Sequence, residues 1–164
     1  MKALMLLIAI FNSCKTMNEN CSEIKVRAFT HHFEEKLLIY KNQNGDLLSK
    51  IDPDEEAGWI VEIVGVDGDY FKVNIDDLDL NNVWVLKKSL SLNTRNYDGQ
   101  SIILYQDPTK KSGKVGLLDK EQTVMILDAC KDWVYIKGES INGKEVRGWL
   151  EPDMQCGNPY TTCP

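Results

Sequence analysis

Residues 102–150 read IILYQDPTKKSGKVGLLDKEQTVMILDACKDWVYIKGESINGKEVRGWL, and the spacing of apolar side chains in this stretch decides the fold. Ile102-Ile103-Leu104-Tyr105, Lys114 to Leu118, Gln122 to Leu127, Trp133 to Lys137 and Val146 to Leu150 are each of strand length, with turn residues between them. Gln106 to Gly113 is a turn-rich connector, and Ile141-Asn142-Gly143-Lys144 carries the Asn-Gly pair that favours a tight hairpin. Val124, Ile126, Val134 and Ile136 alternate with polar or variable positions, so a period of two turns them inward. Helical periodicity is almost absent. Short strands at regular spacing predict an all-β protein.

The same order of signals occurs earlier in the chain. Tyr40 precedes Tyr105 by 65 residues (105 − 40), Tyr70 precedes Trp133 by 63 (133 − 70), and Trp84 precedes Trp149 by 65 (149 − 84). Around these markers Leu37 to Tyr40, Leu47 to Ile51, Trp59 to Val64, Tyr70 to Ile75 and Asn82 to Leu86 read as strands. Asn42 to Asp46 is a turn, Asp52 to Glu56 an acidic loop, and Asp67-Gly68 a hairpin signal. Such self-similarity implies two copies of one small unit. Each copy of roughly 60 residues is near the lower limit of what folds alone, so two packed units at 33–96 and 97–164 are expected.

Leu104-Tyr105-Gln106-Asp107-Pro108, Val115-Gly116-Leu117-Leu118, Val124-Met125-Ile126-Leu127, Asp132-Trp133-Val134-Tyr135-Ile136 and Gly148-Trp149-Leu150 together resemble the bacterial SH3-like domain. The match covers nearly all of residues 102–151. In the first copy Asp69-Tyr70-Phe71-Lys72-Val73 stands for the Trp strand and Val83-Trp84-Val85 for the closing Gly-Trp. The resemblance implies two tandem SH3-like β-barrels, each of five strands. It further implies recognition of an extended peptide or cell-wall stem peptide across aromatic side chains at a barrel rim. Tyr105, Trp133 and Tyr160 are the expected contacts, on the second copy, which holds more aromatic residues. Trp149 is assigned to the core, where a large ring supplies apolar area that a small barrel lacks.

The amino terminus reads as an address. Lys2, the apolar run Ala3 to Phe11 and then Asn12-Ser13-Cys14 have the pattern of a bacterial secretion signal over 1–13. Phe11-Asn12-Ser13-Cys14 resembles the lipobox of bacterial lipoproteins, which implies lipidation of Cys14 and attachment to a membrane of the cell envelope. Residues 14–32 are polar and read as a linker, with only Ile24-Lys25-Val26 suggesting a short strand. Beyond Cys14, four cysteines permit two bridges in three connectivities. The Gly157-Asn158-Pro159 turn favours Cys156 with Cys163, and Cys21 and Cys130 stay open, free or paired.

Several function classes are disfavoured. A net charge of −6 without a Lys/Arg cluster argues against nucleic acid as a partner. His31 and His32, adjacent in the linker, supply no base beside a nucleophile, so an enzyme is not expected. Asp76 to Asn82 and Asp52 to Glu56 collect oxygen ligands without the spacing of a calcium loop, so neither metal nor cofactor is expected. The expected function is therefore a non-enzymatic envelope protein that binds a peptide, a wall peptide or a protein partner. The alternative is a structural envelope protein, or an accessory or inhibitor subunit of a separate hydrolase. Because one acyl chain binds membranes only marginally, firm anchoring needs a multiply acylated cysteine. Cys14→Ala should move the protein from the membrane to the soluble fraction, checked by fractionation and by the mature mass.

Overall fold

A computed structural model describes residues 21–30, 36–52, 58–96, 99–160 and 163. Cys14, the segment 1–13, His31, His32 and most of the acidic loop at 52–56 lie outside these residues. The described residues contain thirteen strands, three short 3-10 turns and no α-helix, so the protein is all-β. The expected strands are present. β2 (Leu37–Tyr40), β3 (Leu47–Ile51), β4 (Ile60–Asp67), β5 (Tyr70–Ile75) and β6 (Leu80–Leu86) make the first group. β8 (Ile102–Tyr105), β9 (Lys114–Leu118), β10 (Thr123–Cys130), β11 (Trp133–Glu139) and β12 (Glu145–Leu150) make the second. Val124, Ile126, Val134 and Ile136 are all buried, as their alternation predicts.

The groups repeat one another in topology. Strands of the first are ordered β3-β2-β6-β5-β4 and those of the second β9-β8-β12-β11-β10, every pair antiparallel. Two of the bulges correspond, while a third, between Val73 and Ile75 of β5, has no counterpart in β11. Register slips between Ile63 and Gly65 in β4 and between Ile126 and Asp128 in β10, 63 residues on (126 − 63). It slips again opposite Ile39 and Tyr40, where β3 carries the extra Leu48, and opposite Leu104 and Tyr105, where β9 carries the extra Val115. Bulges bend a strand and increase its twist, so the two groups curl alike at these two positions.

Two strands escape the sequence reading, and a third runs beyond Ile24-Lys25-Val26, sharing only Val26 with the short strand suggested there. β1 (Val26–Thr30) lies inside the stretch read as a linker, yet it sits near the middle of the sheet with Val26, Ala28, Phe29 and Thr30 buried. β7 (Leu90–Thr94) and the two-residue β13 (Gln155–Cys156) follow the closing strands of the first and second groups. β1 pairs with β4 on one edge and β7 on the other, and β7 pairs with β10. Two separate closed barrels are thereby replaced by one antiparallel sheet, hydrogen-bonded without a break from β3 to β9. The physical reason is backbone satisfaction: β1 and β7 would each expose an edge, and they cover each other instead.

A shared clasp fastens each linking strand. Thr30 N–H donates to the Trp59 carbonyl at 2.9 Å, and Trp59 N–H donates to Thr30 Oγ1 at 2.8 Å. Thr94 and Gln122 make the same two bonds at 2.9 and 3.0 Å, 64 and 63 residues later (94 − 30, 122 − 59). Both threonines are buried, so each clasp stabilises by about 1 kcal/mol per bond. The apolar side chains of both groups merge into one core that includes Ile39, Phe71, Leu90, Leu92, Ile126 and Leu150.

The glycine before Trp149 has a packing cause. A Cβ at Gly148 would lie 2.7 Å from Leu104 Cβ and 2.8 Å from Val115 Cγ2, because β8 and β9 close over this point of β12. The first group holds Val83 at the matching position. Gly148→Val should therefore destabilise the protein by about 1–3 kcal/mol, read as a lower urea midpoint at unchanged slope.

Candidate functional site

Each group places an aromatic pair at equivalent positions. Tyr105, at the end of β8, meets Trp133, at the start of β11, edge to face with centroids 5.6 Å apart and planes at 82°. Tyr40 and Tyr70 meet in the first group at 5.3 Å and the same 82°. The sheet brings them together: Trp149 is the register partner of Tyr105 and Trp84 that of Tyr40. Edge-to-face contact aligns the positive rim of one ring with the negative face of the other and adds about 0.5–1.5 kcal/mol beyond burial. The Tyr40 phenol is pushed up from its ordinary pKa by burial and then by Tyr70.

The expected contacts do not share one surface. Tyr105 is only 6% exposed, so its ring packs into the core and does not form a free rim, which corrects the expectation drawn from resemblance. One ring packed against it is that of Trp133, from two strands away in the same sheet. Trp133 is half-buried against it. Trp149 is half-buried too, with its ring tilted on Tyr135 at 5.4 Å. Tyr160 is 48% exposed and stands apart in the carboxyl-terminal tail.

The tail builds a cleft. Cys156 is bonded to Cys163, closing the loop that the Gly-Asn-Pro turn favours. β13 pairs with β7 through Gln155 with Thr94 and Cys156 with Asn93, after which Gly157 lies against β1. A Cβ at Gly157 would fall 2.1 Å from the Arg27 carbonyl oxygen, so only glycine allows that approach. Tyr160 then crosses to the first group and donates its hydroxyl hydrogen to the Gly58 carbonyl at 2.9 Å. Between this tail and β7 and β10 opens a cleft of about 420 Å³, lined by Arg95, Glu121, Gln122, Thr123, Pro159 and Tyr160 among others.

Charged groups lie at the other end of the second group. Glu151, immediately after β12, is buried, and Lys110 of the 106–113 loop reaches across to ion-pair with its carboxylate. Asp153 stands 3.6 Å from the same ammonium. The Glu151 hydrogen bond, then its charge, raises the Lys110 pKa above the ordinary value. Sequence reading missed both residues, because a lone Glu before Pro152 and one Lys in a polar loop carry no periodic signal. It also left open the pairing of Cys21 with Cys130, which the structure joins across 109 residues. No group of three or more His, Cys, Asp or Glu able to hold a metal occurs among the described residues.

No family model matches this chain, and no curated protein matches it. Among solved structures, NlpC2 from Trichomonas vaginalis is similar over 81% of this chain and 48% of that one, at 17% identity and a TM-score of 0.34. The chain thus spans about half the length of that protein.

The buried Tyr105 ring yields a direct test of its packing role. Tyr105→Ala should cost about 3 kcal/mol, as other large-to-small core changes do, and lower the urea midpoint accordingly. A rim residue would leave the midpoint in place.

Proposed function

We propose that this protein is a non-enzymatic binding protein of the bacterial cell envelope, exported and held to a membrane through Cys14. Its two strand groups are SH3-like units fused through β1 and β7. Support for the unit assignment comes from the repeated strand order and the matched bulges, which a chance arrangement of strands would not reproduce. Two disulfides suit an oxidising compartment outside the cytoplasm.

The observation that carries the binding role is the orientation of Tyr160. Its hydroxyl is anchored on Gly58, the residue is 48% exposed, and it borders the cleft between the tail and β7 and β10. An aromatic held this way offers apolar contact at little entropic cost on binding. The Asn93 amide and the Thr123 hydroxyl, bonded to each other at 2.7 Å, add polar groups along the same cleft, whereas the Thr94 hydroxyl and the Gln122 amide are engaged with Gln122 and Glu139. We assign the ligand to a peptide of the cell wall or of an envelope partner, recognised here and not across Tyr105.

Binding of a synthetic wall stem peptide, followed by calorimetry, tests this reading. Tyr160→Ala should weaken the dissociation constant by about tenfold or more, as loss of a central aromatic anchor does. The melting temperature should fall by no more than about 4 °C, because one half-exposed hydrogen bond is lost. Unchanged affinity would remove the cleft from recognition.

A further inference from the structure

The two strand groups act as internal controls for each other, and one of the places where they differ in charge is buried. In the first group Tyr70 and Leu86 are register partners across β5 and β6, with Tyr40 edge-on to Tyr70. In the second, Val134 pairs with Leu150, and one step further along the two chains stand Trp133 and Glu151. Glu151 therefore occupies the place of Leu86 (151 − 65 = 86). The same fold accepts an apolar side chain there, so the frame does not require a carboxylate.

A carboxylate here is costly unless something offsets its burial. Only 8% of the Glu151 side chain is accessible, and desolvation of an isolated charge disfavours it by several kcal/mol. Its cationic partner, Lys110, comes from an exposed loop and is itself 59% accessible. That loop does not need the ion pair for its shape: Gln106 N–H donates to the Gly113 carbonyl at 2.8 Å, and Asp107 N–H to Ser112 Oγ at 3.1 Å. The corresponding turn in the first group closes on itself, with Lys41 N–H donating to the Asp46 carbonyl at 2.8 Å. A swinging lysine thus neutralises a carboxylate that is fixed in the sheet.

We propose that Glu151, with the half-buried Trp133 beside it, forms a binding site for an alkylammonium group carried by a peptide, and that Lys110 fills this site in the ligand-free protein. The chemistry suits that class of ligand. A buried carboxylate supplies a charge-assisted hydrogen bond to an ammonium group, and the half-buried Trp133 offers apolar contact to its alkyl stem. An incoming lysine-like side chain makes the bonds that Lys110 now makes, and Lys110 returns to water at little cost. The site shares no lining residue with the Tyr160 cleft and does not rest on it.

An internal competitor has a signed consequence: removing it tightens ligand binding. The probe is the tripeptide acetyl-Gly-Lys-Gly-amide, titrated into the full chain while the Trp133 indole N–H is followed by NMR, with the norleucine analogue as control. Lys110→Ala should lower the dissociation constant by about tenfold, since the self-occupied fraction no longer reduces the competent population. Glu151→Leu should abolish binding while folding like the parent, because Leu is what the first group carries; Glu151→Gln serves if that variant is unstable. Tyr160→Ala should leave the tripeptide affinity unchanged, which separates this site from the cleft. Equal or weaker binding to Lys110→Ala, binding retained by the Glu151 variants, equal binding of the norleucine peptide, or no binding at all would each overturn the proposal.

Discussion

The backbone pairing between β1 and β7 is the constraint on which the rest of this architecture depends. Phe29 faces Ser91 and Thr30 faces Leu90, so two strand groups that would otherwise end in open edges share one ladder. β7 works on both edges at once, with β1 and then β13 along one side and β10 along the other. Leu90 and Leu92 are fully buried at this seam. A strand edge left open in water invites pairing with other chains, and this seam removes two such edges.

The seam also explains the tail. β7 follows the first group and pairs with the strand that precedes it; β13 follows the second group and pairs with β7 in the same way. Thr30 with Leu90 becomes Thr94 with Gln155, and Phe29 with Ser91 becomes Asn93 with Cys156. Pro159 and the Cys156–Cys163 bridge end this progression, because proline lacks the N–H that a longer strand would need. Cys21–Cys130 fastens the segment before β1 to the end of β10, reinforced by a Lys25 N–H bond to the Lys131 carbonyl at 3.0 Å. Closing so long a loop restricts the unfolded chain, for a stabilisation of about 4–5 kcal/mol in the loop-entropy model.

Within a shared frame the groups have diverged in what they expose. The first keeps an apolar corner of Tyr40, Tyr70 and Leu86, whereas the second places Glu151 beside Tyr105 and Trp133 and covers it with Lys110. Val83 and Gly148 differ for a packing reason, since only β12 must admit Leu104 and Val115 so closely. Duplication supplies the frame twice, and the second copy carries the charged and cleft-forming additions.

The strands of both groups were readable from the sequence because each carries its own period: Val124-x-Ile126 and Val134-x-Ile136 alternate without help from distant residues. The repeat, the hairpin turns and the Cys156–Cys163 bridge were readable for the same reason, as local signals at short spacing. β1 was not, since five residues within a polar stretch become a strand only when β4 and β7 are there to bond them. Tyr105 illustrates the limit for sites: its sequence marks an aromatic at a strand end, but whether the ring faces water or core depends on what the fold packs against it, Trp133 among others. Tyr160, Arg95 and Gln122 meet at one cleft only because the tail crosses from the second group to Gly58 of the first. Periodicity is a property of neighbouring residues and survives in the sequence; burial, charge pairing and cleft shape are properties of residues brought together from far apart, and only the tertiary structure decides them.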